Sequence, residues 1–122
     1  MATKFIGFGA VAGFLSVALG AFAAHALKDK LDSYSLGVFR TAVEYQFYHA
    51  IALLFVGLWL DRADIPAVRW AGYWFLAGIV IFSGSLYMLT FTKVKVWGAV
   101  TPIGGVSFLV GWLFLAVTAF RK

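Results

Sequence analysis

The chain has 122 residues, 63% of them hydrophobic and only 12% charged, with a formal net charge of +5 and no cysteine. A water-soluble domain carries roughly 25% charged residues to cover its surface, so this composition excludes a globule wetted on all sides, and a mean hydropathy of +0.93 makes lipid the expected solvent. Without cysteine there are no disulfides or thiolate metal sites; the basic residues, set singly or in pairs at the ends of apolar runs, read as headgroup contacts and leave no basic patch for nucleic acid.

A hydrocarbon core of about 30 Å takes about 20 helical residues to cross, and four segments are long enough. The first, at about 5–25, runs "FIGFGAVAGFLSVALGAFAA" with Ser16 as its only polar side chain. Lys4, the apolar run and "AHA" also fit a cleaved signal peptide, but the run exceeds the usual apolar region of about 7–15 residues. With Gly9 and Gly13 at GxxxG spacing, it is expected to be a true span. The second covers about 37–60, the third ("WAGYWFLAGIVIFSGSLYMLTF") about 70–91, and the fourth about 101–120. Short polar connections join them, and none of the runs shows the alternation of a barrel strand. The expected fold is all-α, an integral membrane four-helix bundle forming a single domain over 1–122.

The fourth span contains "VTPIGG". Thr101 before Pro102 matches a capping residue followed by proline at the first helical position. The preferred reading starts the helix at Pro102 and leaves 96–100 in the interface; the alternative is a longer helix kinked at the proline. Orientation is poorly specified. Lys4, Arg62, Arg69, Arg121 and Lys122 fall on one side, and Lys28, Lys30, Arg40, Lys93 and Lys95 on the other, which gives the positive-inside rule nothing to act on.

The second span carries the unusual chemistry: "RTAVEYQFYHAIALL", residues 40–54. At about 100° per residue from Arg40, Glu44 falls near 40°, Tyr48 near 80°, Tyr45 near 140°, His49 near 180° and Gln46 near 240°. Read as one broad polar face, these six residues form an inward-facing intramembrane seam, because embedded ionisable groups turn to the bundle interior and pair. Arg40 and Glu44, one turn apart, are expected to pair with each other. If the hydrocarbon begins near Phe39, His49 lies about 15 Å inside. Two readings stay open: a structural clamp with His49 as a hydrogen-bonded core residue, or a proton relay or small-ligand pocket beside the tyrosines.

Other chemistry is poorly supplied. His25 and His49 lie at different depths, which argues against a bis-histidine haem. One deep Glu and one His are too few for a metal site. Ser83 and Ser85 lack partners for a hydrolytic triad; with Gly9/Gly13, Ser16/Gly20 and Ser107/Gly111, they read as small faces for close helix crossing. No catalytic residue, cofactor or metal is expected.

Four stretches occur in order, one per span: "GAFAAHAL" (20–27), "TAVEYQFYHAIALL" (41–54), "FSGSLY" (82–87), and "TPIGG" with a following "GW" (101–105, 111–112). Together they resemble the YgdD-like family of small bacterial inner-membrane proteins, domain of unknown function family 423. The resemblance spans nearly the whole chain. It implies a four-span protein of the bacterial inner membrane with no assigned activity, and it emphasises His25, Tyr45, Gln46, Tyr48, His49, Ser83, Ser85, Tyr87, Thr101 and Pro102.

Three functions compete. The first is a structural or accessory protein packing against itself or a larger membrane complex, in contact with membrane lipids and with no enzymatic role. The second is a small transporter or channel using the Arg40–Glu44–His49 seam. The third, an enzyme acting on lipid or quinone, lacks a nucleophile. A water-reached cavity at His49 favours transport; a dry, fully paired seam favours the structural role.

Overall fold

A computed structural model describes residues 1–121 as four long helices joined by short turns: α1 (Ala2–Leu27), α2 (Ser33–Arg62), α3 (Pro66–Thr92) and α4 (Val96–Phe120). Each is long and apolar enough to cross a membrane. Each also extends a few residues beyond the span expected from hydropathy. The apolar run marks only the stretch in hydrocarbon, whereas a helix keeps satisfying its own backbone into the headgroup layer.

α2 and α3 form the central pair, with α1 and α4 on opposite sides of it. α1 lies along α2 and touches α3 through Phe5, whose ring meets Gly72 and stands edge-on to Tyr73 at 5.3 Å. α4 lies along α3, and its backbone stays away from α2. Two apolar clusters fill the interior. The larger includes Phe5, Leu53, Val56, Val68, Phe75 and Phe108; the smaller gathers Ala23, Leu27 and Phe39 at the opposite end. The outer faces are just as apolar: Phe14, Val80, Leu109 and Leu113 are all exposed, as helices bathed in acyl chains require.

Lipid tails are as apolar as a protein core, so helix association rests on close fit rather than on water exclusion. Gly9 supplies that fit between α1 and α2. A Cβ there would sit 2.8 Å from the Ala50 carbonyl oxygen. Its GxxxG partner Gly13 has only the Ala50 methyl at 3.9 Å, so one glycine of the pair makes the crossing. Between α3 and α4 the approach is closer still. Residues Ile79–Ser83 form a π-helical turn within α3, and a Cβ on Gly104 would collide with the backbone of Phe82 in that turn. A π-turn is wider than an α-turn, and here the facing helix meets it with a residue that has no side chain.

The fourth helix corrects the sequence expectation. It begins at Val96, and Pro102 lies inside it. Thr101 is not a cap: its hydroxyl donates back to the Trp97 carbonyl at 3.1 Å, within the helix. The proline is tolerated because it sits close to the helix start. The backbone bond it deletes would have ended on the Gly98 carbonyl, and Gly98 borders a cavity at the end of the bundle.

Candidate functional site

The polar face expected on α2 divides in two. Gln46 and His49 are buried, at 5% and 4% exposure. Arg40 and Glu44 are exposed, together with Tyr48 and, more marginally, Tyr45. Arg40 and Glu44 do not pair; among the described residues the only ion pair is Arg69 with Asp64 at 3.1 Å, at the α2–α3 turn. The inward seam of six is therefore corrected to an inward pair, an outward group of Arg40, Glu44 and Tyr48, and Tyr45 at the edge, its ring 4.7 Å from that of Phe82. The reason is angular. The buried residues Ala42, Gln46, His49, Leu53, Val56 and Leu60 share one side of the wheel, whereas Arg40 and Glu44 lie across it with the exposed Ile51, Phe55 and Leu58. One helix face cannot hold both sets.

Gln46 ties three helices together. Its Nε2 donates to the Ala12 carbonyl of α1 at 3.0 Å, and its Oε1 accepts from the Tyr87 hydroxyl of α3 at 2.6 Å. Ser16 donates to the same Ala12 carbonyl at 2.8 Å. One turn along, Ser83 of the π-turn donates to the Ala42 carbonyl at 2.7 Å. Each group is a polar atom inside hydrocarbon, where a missing partner is costly.

His49 is fixed on every side. Its ring stacks on Phe108 with centroids 3.5 Å apart and planes 7° from parallel, with Phe75 and Trp112 at 5.5 and 5.8 Å. Nδ1 lies 2.7 Å from the Tyr45 carbonyl, and the Trp112 indole N–H donates to Nε2 at 3.1 Å. A carbonyl only accepts and an indole N–H only donates, so the two partners specify the neutral imidazole with its proton on Nδ1. A second ring proton would set two N–H groups against each other.

The remaining motif residues scatter. Ser85, Thr101 and the Phe82 carbonyl form a small cluster: Ser85 Oγ lies 2.6 Å from Thr101 Oγ1 and 2.9 Å from the carbonyl. With the Thr101–Trp97 contact, two hydroxyl protons serve three contacts, so one contact is always unfilled. Ser107 donates to the Trp74 carbonyl at 2.7 Å, joining α4 to α3. His25 is exposed in the π-turn that ends α1, and Pro102 is exposed on α4. No group of three or more His, Asp or Glu side chains comes together to hold a metal among the described residues.

Sequence reasoning missed two things. One is the role of Phe108 and Trp112, which complete the His49 environment from α4; only the pairing of α2 with α4 side chains reveals it. The other lies at the bundle end, where Asp32, at the start of α2, shares a cavity with Lys93 and Lys95. The nearby Ser35 hydroxyl, and secondarily Lys93, hold the Asp32 carboxyl below its ordinary value of 3.8, although Asp32 makes no side-chain capping bond to the helix.

Comparison with known proteins agrees with this architecture. The profile of a family described as "Protein of unknown function (DUF423)" matches residues 19–105. The chain is 45% identical to UPF0382 membrane protein SAB0533 of Staphylococcus aureus, covering 96% of this chain and 95% of that one. It is 44% identical to UPF0382 membrane protein YwdK of Bacillus subtilis, covering 96% of each. It is 41% identical to UPF0382 inner membrane protein YgdD of Escherichia coli K12, covering 93% of this chain and 87% of that one. No solved structure matches.

Proposed function

The chain belongs to the DUF423 family of membrane proteins, and we propose that this multi-pass protein of the bacterial cell (inner) membrane serves as a structural or accessory bundle. In this reading it has no enzymatic role and packs against a second copy or a larger membrane complex. The observation that carries the proposal is the state of His49. Both ring nitrogens are engaged by partners that accept only one tautomer, and the ring is sealed by Phe108.

A proton relay needs a group that can take up and release a proton along a wet path. At His49 a second ring proton would break the Trp112 bond. Neither the cavity at the bundle end nor the groove between α2 and α4 is lined by His49. Gln46 likewise spends both ends of its amide on helix-to-helix bonds. Satisfied polar networks of this kind rigidify a core and specify its register.

Two measurements test the proposal. Extracted in mild detergent, the protein should run as an assembly heavier than its 13.3 kDa monomer; a strictly monomeric, partner-free species counts against it. In proteoliposomes with an imposed pH gradient, it should discharge the gradient no faster than empty vesicles. A flux abolished by His49→Ala in a folded protein would replace the structural reading with transport.

A further inference from the structure

Where α2 begins and α3 turns into α4, the bundle end carries a half-open cavity of about 590 Å³. Its polar side is made by Asp32, Tyr34, Ser35, Lys93 and Lys95. Val38 and Leu89 line the side nearer the hydrocarbon. None of the three charges makes an ion pair among the described residues, although the Asp32 carboxyl is held by Ser35 and lies in the field of Lys93. Two cations and one carboxylate thus face one space.

Among the described residues Lys93 is also the only non-glycine residue with positive φ, at 58°. It occupies the left-handed position after α3 where glycine or asparagine is usual, and a lysine there costs about 1 kcal/mol of backbone strain. The turn thus holds a cationic side chain beside the cavity at a position where glycine would cost less.

Depth identifies the occupant. Measured from Leu60 at about 1.5 Å per residue, a hydrocarbon core of about 30 Å ends near Arg40. Asp32 and Ser35 then lie about 8–12 Å beyond it, in the headgroup layer. Phospholipid phosphates and amines sit at that level, and basic pockets between helices are the usual seats for the phosphates; here a carboxylate stands beside the two lysines.

We propose that this cavity seats the headgroup of a zwitterionic phospholipid with a primary amine, its phosphate on Lys93 and Lys95 and its ammonium on Asp32. The Tyr34 hydroxyl adds a donor to the phosphate while Ser35 holds the Asp32 carboxylate in place, and Val38 and Leu89 receive the first methylenes of the chains. Phosphatidylethanolamine has this chemistry. Phosphatidylcholine has the phosphate but no N–H to donate to Asp32. Phosphatidylglycerol has the phosphate but a glycerol in place of the ammonium, so it leaves the Asp32 charge without a cationic partner.

The full chain, placed in nanodiscs of equimolar phosphatidylethanolamine, phosphatidylcholine and phosphatidylglycerol, is released and its retained lipid counted by native mass spectrometry. The expected result is retention of the ethanolamine lipid over the choline lipid by about fivefold, the strength of one interfacial ion pair. Asp32→Asn should erase that preference while leaving choline-lipid retention unchanged. Lys93→Gln and Lys95→Gln should each lower total retention about fivefold, and arginine at either position should restore it.

Equal retention of the ethanolamine and choline lipids by the unaltered protein overturns the proposal, as does a preference for the glycerol lipid. Displacement of bound lipid by millimolar inorganic phosphate would assign the site to free phosphate instead. Helix content by circular dichroism identifies any variant that fails to fold. In that event the lipid preference of the unaltered protein, which needs no variant, decides the matter.

Discussion

Arg40 and His49 stand on the same helix, on opposite faces about 180° apart, and they live under different rules. His49 is 4% exposed and bonded at both nitrogens; Arg40 is exposed and unpaired. A polar group deep in the bundle must be satisfied by protein, because nothing else is there. A charge on the outer face near the helix start can extend toward headgroups and water. Polarity in a membrane segment therefore does not mark a site by itself. What matters is whether the group has anywhere else to go.

The strongest way to break this contrast is to disturb the fit that keeps the inner face dry. Gly104→Leu drives a side chain into the Phe82 backbone and is expected to destabilise the bundle by about 3 kcal/mol, read by denaturation in mixed micelles. A mild effect would mean that the π-turn yields readily. His49→Ala comes next. It empties the space on Phe108 and leaves the Trp112 N–H without its acceptor, for an expected loss of about 3 kcal/mol. A stability near that of the unaltered protein would show that the ring is not held as described.

Smaller effects sharpen the contrast. In a double-mutant cycle of Gln46→Leu with Tyr87→Phe, the coupling should be about 1 kcal/mol, since buried hydrogen bonds between membrane helices are individually modest. No coupling would mean that the 2.6 Å contact contributes only geometry. On the outer face, Arg40→Gln and Glu44→Gln should each change stability by less than about 0.5 kcal/mol. A large loss at either would restore the inward seam or reveal a partner covering that face.

The smallest expected effect is pH-dependent. The Asp32 carboxyl is lowered in the folded protein, chiefly by Ser35. The stability it contributes is present above its ordinary value of 3.8 and is lost as pH falls through the lowered folded value. Melting of the Asp32→Asn variant should therefore differ from that of the unaltered protein at neutral pH and converge with it in acid. A difference that grows on acidification would reverse the assignment.

Much of the molecule was legible beforehand. Four apolar runs of spanning length and a charge content too low for a wet surface leave few architectures other than a helical membrane bundle. The burial of His49 and Gln46 was legible too, because their angles coincide with those of Ala42, Leu53 and Val56. The same arithmetic placed Arg40 and Glu44 across the wheel. The seam fails because six polar residues spread over so wide an arc exceed what one neighbouring surface can cover. At Pro102, the local signal of a cap matched a real pattern, yet the helix continues through it from Val96.

The sequence by itself determined that this protein lives in lipid as helices, because that depends on hydration, on the length of each apolar run and on backbone hydrogen bonding, all of which are local. Tertiary structure alone decided which helix meets which. The partner of Gln46 across α1 is a backbone carbonyl, that of His49 is an indole on α4, and Gly104 matters because of a widened turn on another helix. Such pairings join distant parts of the chain through shape, and nearly uniform apolar surfaces carry little local record of which shape will fit.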